Sequence, residues 1–251
     1  MATAPTLISY TETASWVTGS ASKSIASISW QIGDVLVAMA GAGWVVLDVP
    51  TNTGSGLAWV SQQSHVASTV CATQLATAVA TAASSGVISI ATDDPGVKFG
   101  FGVWVYRGSD GIGNSVEQYT TTKTVNLTPT GANGAIVWGV FDRSGQATHT
   151  ITPTPTNTNE LTQDGDYTIH VADLADQTSA GATAYGVSGG GSTGPYSIVA
   201  LEIKGTAGGG GSPANWLPRR GSFGQDARLR RRSMIVPSLR DILLCERSKA
   251  A

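Results

Sequence analysis

Residues 99–106 read FGFGVWVY and contain no charged side chain. Val, Trp and Tyr favour β-strands, and a run this apolar is typical of a strand that faces water on neither side. Residues 198–203, which read IVALEI, are nearly as apolar. We therefore predict two strands that are covered on both faces, by a second layer of the same fold or by another subunit.

The rest of the chain up to residue 204 is typical of short strands joined by turns. Segments rich in Val, Ile, Thr and Trp alternate with turn residues such as Gly33-Asp34, Asn133-Gly134 and the DDPG of residues 93–96. Residues 75–83 are rich in Ala and could form a helix, but Thr and Val alternate with Ala there, which favours a strand. No amphipathic helix separates the strands, so we predict an all-β, antiparallel, jelly-roll-like β-sandwich over residues 1–204.

The charge distribution divides the 251-residue chain into two parts. Charged residues make up only 13% of it and the net charge is −2. Residues 1–205 contain six basic and fourteen acidic residues, whereas residues 206–251 contain nine basic and three acidic residues. Residues 205–213 read GTAGGGGSP, which is typical of a flexible linker. We therefore predict an acidic body, a Gly-rich linker over 205–213 and a basic C-terminal segment over 214–251.

The C-terminal segment has the features of a docking element. A helix-start pattern at Ser238 precedes a short apolar face at helical spacing, and a helix of two turns is marginal alone in water. The arginine cluster at residues 228–232 has no interleaved aromatic residues. An acidic protein surface is therefore favoured over nucleic acid as its partner. The predicted docking residues are Arg228, Arg230, Arg231, Arg232, Leu239, Ile242 and Leu243.

The sequence motifs that suggest catalysis lack the context that catalysis needs. Residues 186–190 read GVSGG and match a nucleophile elbow, but a Gly-rich loop follows instead of a helix. All three histidines precede Ser188, and each is more simply explained as a surface or sheet residue. The acidic pairs Asp93-Asp94 and Asp164/Asp166 are too few for calcium and are typical of turns. We therefore expect a non-enzymatic protein with no catalytic residue, cofactor or metal ion.

Tryptophan is frequent for a body with few other aromatic residues. Six of the seven tryptophans precede residue 205, and most are expected to pack between sheets. An exposed subset could instead stack on a sugar ring. Trp44 and Trp59 are the candidate glycan contacts in this second interpretation.

Two cysteines do not form a disulfide framework, and residues 1–15 have no apolar signal region. The chain has no run of 18 apolar residues, which is about the length needed to span a membrane. We therefore expect synthesis in a reducing cytoplasm, free thiols and no membrane association.

Several short blocks resemble small β-sandwich virion proteins of tailed bacteriophages that infect actinobacteria, commonly called minor tail proteins. The blocks are ISWQIGDVLV at 28–37, GLAW at 56–59, VWVYRGS at 103–109 and PYSIVALEI at 195–203. The resemblance implies a structural subunit of a virion, synthesised in the host cytoplasm, with other virion proteins of the tail or head as partners and homo-oligomers within the particle. It implies no active-site residue. The alternative function is a carbohydrate-binding module that contacts host surface glycans.

Overall fold

The computed structural model describes residues 3–13, 20–43, 45–67, 71–142, 149–162, 168–177, 181–189 and 194–206. These residues form eighteen β-strands, and none of the described segments is helical. The described part of the chain thus includes no helix that could cross a membrane.

The strands fall into two consecutive groups, which we call the first repeat (residues 6–107) and the second repeat (residues 109–205). The first repeat contains β1 (Thr6–Glu12), β2 (Ser22–Ser24), β3 (Ile28–Trp30), β4 (Val35–Ala42), β5 (Thr51–Asn52), β6 (Val60–Ala67), β7 (Cys71–Val79), β8 (Ser84–Gly86), β9 (Ile88–Ala91) and β10 (Phe99–Arg107). The second repeat contains β11 (Ser109–Thr120), β12 (Thr124–Leu127), β13 (Gly134–Asp142), β14 (His149–Thr152), β15 (Asn157–Thr162), β16 (Thr168–Gln177), β17 (Thr183–Gly189) and β18 (Tyr196–Gly205).

The two repeats share one topology. The large sheet of the first repeat has the order β1-β10-β4-β7-β6, and that of the second has the corresponding order β11-β18-β13-β16-β15. The smaller sheets are β2-β9-β5 and β3-β8 in the first repeat and β12-β17-β14 in the second. In both repeats the first strand pairs with the last and strands near the start pair with strands near the end, as in a jelly roll. All described pairings are antiparallel.

The two large sheets also share their register. Val37 of β4 lies opposite Trp104 of β10, and the corresponding residue of β13, Val137, lies opposite Leu201 of β18. A β-bulge interrupts β1 and β11 at the corresponding place. Other bulges differ, since β6 has a register shift between Ser61 and Gln63 that β15 lacks. The two repeats therefore share their central register but not every irregularity.

The turn before β4 recurs before β13. Gly33 has φ 84° and Asn133 has φ 64°, so both adopt the left-handed conformation. Glycine and asparagine enter this region at the lowest cost. The two turn signals recognised in the sequence therefore mark equivalent corners of the repeats.

Three apolar cores lie between the sheets. One core joins the two large sheets, and its largest side chains include Met39, Trp104, Tyr106 and Phe141. Each of the other two cores lies between a large sheet and the smaller sheets of the same repeat. The central strands β4, β10, β13 and β18 are consequently buried on both faces.

Large and small residues alternate where the two large sheets meet. Met39 and Gly139 occupy corresponding positions of β4 and β13, and a Cβ atom added to Gly139 would overlap Met39 Sδ. A Cβ atom added to Gly41 would lie 3.1 Å from Phe141, its own counterpart. The repeats thus pack through complementary differences at equivalent positions.

The predicted all-β, antiparallel sandwich is confirmed, and so is the strand at residues 75–79 of β7. The predicted burial of residues 99–106 and 198–203 on both faces is confirmed as well. The turn spacing did not indicate that the sandwich is built twice. The predicted C-terminal helix, most of the linker and the basic segment lie outside the described residues.

Candidate functional site

An open cleft of about 430 Å³ lies at the junction of the two repeats, which we call the seam cleft. One wall comes from β1 and β10 of the first repeat, and the other comes from β15, β16 and the residue before β15. Its lining residues are Leu7, Tyr10, Trp104, Thr156, Asn157, Thr158, Val171, Ala172 and Asp173. Its volume falls within the ~300–1,000 Å³ of small-molecule sites.

The wall from the first repeat is aromatic. Tyr10 and Trp104 are opposite each other on neighbouring strands, with ring centroids 4.7 Å apart and ring planes at 47°. Tyr10 Oη donates a hydrogen bond to Glu12 Oε2 at 2.6 Å, which fixes the orientation of the ring. A Cβ atom added to Gly102 would lie 2.6 Å from Tyr10 Oη. The absence of a side chain at Gly102 therefore allows the Tyr10 ring to lie across β10.

The opposite wall contains a buried carboxylate. Asp173 is only 1% exposed, and its Oδ2 accepts a hydrogen bond from Asn157 Nδ2 at 3.2 Å. Burial raises the pKa of Asp173, whereas the hydrogen bond from Asn157 and the nearby Tyr106 and Trp104 side chains lower it. Neither of those two aromatic residues meets hydrogen-bond geometry with Oδ1, which has no hydrogen-bond partner among the described residues.

The backbone before β15 is held against β16. Thr156 N donates to Asp173 O at 2.8 Å, and Ala175 N donates to Thr156 Oγ1 at 2.9 Å. Asn157 lies opposite Asp173 in the β15–β16 register. The polar wall of the seam cleft is therefore positioned by the sheet and not by a free loop.

A second polar group is buried between β13, β14, β16 and β18. His149 Nε2 lies 2.7 Å from Asp142 Oδ2, and its ring meets that of His170 edge-on at 5.3 Å. Burial and the neighbouring His149 lower the pKa of His170 to about 4, although Asp142 acts in the opposite direction. All three side chains are at least nine-tenths buried. Their burial favours a structural role for the group.

Comparison with known protein families, curated proteins and solved structures finds no match to this chain. The resemblance to phage virion proteins therefore stays a prediction.

No group of three or more His, Cys, Asp or Glu side chains in the described segments is arranged to hold a metal ion. Asp93 Oδ1 accepts from Val46 N at 3.0 Å, and Asp94 Oδ1 accepts from Gly96 N at 2.7 Å. Asp94 thus binds an amide of its own turn, and Asp93 ties that turn to the segment at residue 46.

Trp59 is the one predicted site residue within the described part of the chain, and it does not line the seam cleft. Trp59 is partly buried against the core of the first repeat, and its Nε1 donates to Asn52 Oδ1 at 3.2 Å. Ser188 lies within β17, where its hydroxyl donates to Thr150 O at 3.3 Å, so no nucleophile elbow forms there. Trp44 and the predicted docking residues between 228 and 243 lie outside the described residues.

Sequence reasoning did not identify the seam cleft. Trp104 was recognised only as part of a buried strand, and Asp173 was one of fourteen acidic residues in the body. His149 and His170 were expected to be ordinary surface or sheet residues, yet both are buried and in contact. Each of these sites joins residues that are distant in sequence, and no local motif marks them.

Proposed function

We propose that this chain is a non-enzymatic structural subunit of a tailed-bacteriophage particle, either a minor tail protein or a head decoration. The observation that carries the proposal is the pair of jelly-roll-like repeats with one continuous core between them. Jelly rolls recur in viral capsid proteins, although a fold alone does not determine function. The repeated sandwich suits a rigid building block.

Three of the four blocks that carry the phage resemblance include β-strands, whereas the block at residues 56–59 lies between β5 and β6. Residues 28–37 include β3 and the first three residues of β4, residues 103–109 include the end of β10, and residues 195–203 include most of β18. Asp34 of the block at 28–37 forms an ion pair with Arg107 of the block at 103–109, with Asp34 Oδ1 2.9 Å from Arg107 Nε. These three blocks therefore contribute residues to the paired strands, and two of them are joined by an ion pair, which supports a structural role.

The buried acidic group of β18 supports the same interpretation. Glu202 is 1% exposed and accepts hydrogen bonds from Asn114 N, Thr130 N and Thr130 Oγ1 at 3.1, 2.8 and 3.0 Å. The carboxylate fixes the loop at Thr130 and the backbone of β11 against β18, and it has no room for a substrate, because a Cβ atom added to Gly113 would overlap it.

The C-terminal segment is proposed to hold the subunit in the particle. The body carries −8 and the segment after residue 205 carries +6. Leu239, Ile242 and Leu243 would enter an apolar groove of another virion protein, while the arginines of 228–232 would face carboxylates. Apolar burial would supply the affinity, and the charges would steer association in a salt-dependent way.

A truncation after residue 210 tests this proposal. It keeps the bridge between Thr3 and Thr206, in which Thr206 N donates to Thr3 O at 3.1 Å. The truncated chain should retain the β-sheet circular dichroism of the full chain but be missing from purified particles. A full-length variant with Arg228, Arg230, Arg231 and Arg232 changed to Gln separates the charges from the apolar face. Incorporation of the truncated chain at normal copy number would contradict the anchor.

A further inference from the structure

We propose that two copies of this chain associate through an uncharged surface at one end of the first repeat. Its centre is a group of three exposed aliphatic residues, Ile32, Val60 and Val79, which we call the aliphatic patch. The inference does not rest on the proposed function, because self-association is measured on the purified chain without a particle.

The three side chains of the aliphatic patch are unusually exposed for their size. Ile32 is 72% exposed, Val60 57% and Val79 45%. Val60 lies opposite Thr77, two residues before Val79, so Val60 and Val79 point to the same face of neighbouring strands. The turn that carries Ile32 is held beside the end of β7, because Gly33 N donates to the carbonyl of the residue after Val79 at 2.8 Å.

The second repeat does not reproduce the aliphatic patch. The corresponding rows of paired residues are Val60-Thr77-Val37 in the first repeat and Asn157-Asp173-Val137 in the second. By position in these rows and in the preceding turn, the counterparts of Val60, Val79 and Ile32 are Asn157, Ala175 and Ala132. Because the repeats share one topology, the exposed aliphatic side chains are not a consequence of the fold. Exposed apolar groups of this kind mark interaction surfaces.

The strands around the aliphatic patch are almost free of charge. Residues 24–92 contain only two charged residues, Asp34 and Asp48, whereas residues 124–189 of the second repeat contain seven. Asp34 is buried and paired with Arg107. Asp48 lies beside the small sheet, where its N–H donates to Ala91 O at 2.9 Å. Consequently β6, β7 and the turn before β4 present no exposed charged side chain.

The edge strand β6 differs from the other three edges of the large sheets. The other edges, β1, β11 and β15, contain Glu12, Asp110, Glu117 and Glu160, whereas β6 reads VSQQSHVA and contains neither a charged residue nor a proline. Charges and prolines on edge strands hinder contact with another molecule. A hydrogen bond from Gln63 Nε2 to Ser115 Oγ at 2.8 Å ties the middle of β6 to the second repeat. The contact is therefore expected at the start of β6, where Val60 lies.

The charge distribution indicates a second copy as the partner. Residues 1–205 contain six basic and fourteen acidic residues, so two copies repel each other unless they meet where charge is absent. A single patch can pair with itself across a two-fold axis, and burial of its aliphatic side chains supplies the attraction. Three side chains make a small interface, which is typical of weak and reversible association.

The test is sedimentation velocity of the purified full chain over a wide range of concentrations, up to about 500 μM. We expect a reversible equilibrium between monomer and dimer, with a dissociation constant of tens to hundreds of micromolar. Raising the salt from about 0.15 to about 0.5 M should leave the association unchanged or strengthen it, because the patch is uncharged. Association driven by the basic C-terminal segment would instead weaken with salt.

Three variants locate the interface. The double substitution Val60→Thr with Val79→Thr keeps the branched shape and should weaken association about tenfold, because buried methyl groups are lost. Ile32→Lys should abolish association, because it brings a charge into the contact. Val46→Thr is the matched control, since Val46 is an exposed valine of the same repeat whose N–H donates to Asp93 Oδ1 at 3.0 Å. It should associate like wild type.

Hydrogen exchange of the wild-type chain is a second measurement that needs no variant. The amides of Ser61 and Ala80 should exchange more slowly at high than at low protein concentration. A monomer at the highest concentration, association that disappears in high salt, or unchanged association in the double variant would each overturn the inference. So would an equal loss of association in Val46→Thr, or exchange at both amides that is independent of concentration.

Discussion

Arg107 and Asp34 form a two-point ion pair that links the last residue of β10 to the turn before β4. Arg107 Nε and Nη2 lie 2.9 Å from the two carboxylate oxygens of Asp34. Asp34 is fully buried and also accepts from Gln31 N at 2.7 Å. Paired, geometrically ideal contacts of this kind are the strong form of the ion pair. The carboxylate therefore closes the turn and joins two central strands.

We expect Asp34→Ala to lower the free energy of unfolding by about 2 kcal/mol, because three hydrogen bonds to one charged group are lost. Urea unfolding followed by tryptophan fluorescence measures the change. Asp48→Ala removes an exposed carboxylate of the same repeat and serves as the control. Equal midpoints for the two variants would show that the Asp34 pair contributes nothing to stability.

The contact between Met39 and Gly139 predicts strong coupling between two substitutions. Gly139→Ala should destabilise the protein by about 1–3 kcal/mol through overpacking, and Met39→Ala by about 2–5 kcal/mol through a cavity. In the double variant the new Cβ atom occupies space that Met39 vacates. Its destabilisation should therefore be smaller than the sum of the two single effects, as chemical denaturation can measure.

The control for this cycle is Gly131→Ala. A Cβ atom added to Gly131 meets nothing within 4 Å, so its unfolding midpoint should match that of wild type. Strict additivity of the Met39 and Gly139 substitutions would mean that the two large sheets do not pack as described.

The buried His170 predicts a loss of stability in mild acid. Burial and His149 lower the pKa of His170 to about 4, against an attraction to Asp142 that raises it. The unfolded chain, with an ordinary histidine pKa near 6.5, therefore binds more protons between pH 6.5 and 4. His170 therefore lowers the free energy of unfolding as the pH falls from 6.5 to about 4, by about 3 kcal/mol at most. Above pH 6.5 this loss of stability is absent.

The measurement is the free energy of unfolding at pH 7, 6, 5 and 4.5 for wild type and His170→Gln. The difference between the two proteins should shift in favour of the variant as the pH falls. A pH-independent difference would show that His170 takes up its proton equally in the folded and unfolded chain.

Substitution of the buried Glu202 should change local hydrogen exchange as well as the global free energy of unfolding. In Glu202→Gln one carboxylate oxygen becomes an amide donor that faces the N–H groups or the hydroxyl it formerly bound. We expect a loss of about 1–3 kcal/mol and faster hydrogen exchange at the amides of Asn114 and Thr130. The exposed Asp176→Asn is the control. Unchanged exchange at both amides would argue against the described hydrogen bonds.

The amino-acid sequence by itself determined the fold class. Strand propensity and turn signals require only neighbouring residues, so β7, β10 and β18 and the corners at Gly33 and Asn133 were predictable. The apolar run at residues 99–106 predicted burial on both faces, because a strand exposed to water on one side normally alternates with polar residues. The docking residues of the C-terminal segment stay predictions, since they lie outside the described residues.

Only the tertiary structure decided that the sandwich is built twice and where the seam cleft lies. Residues 99–108 read FGFGVWVYRG and their counterparts at 196–205 read YSIVALEIKG, which share only the final glycine. Strand pairing depends on backbone hydrogen bonds and on apolar burial, and both tolerate almost any apolar side chain, so the repeat persists without sequence identity. Tyr10 and Asp173 both line the cleft only because the two large sheets pack together. They are far apart along the chain, so no local sequence pattern indicates the cleft.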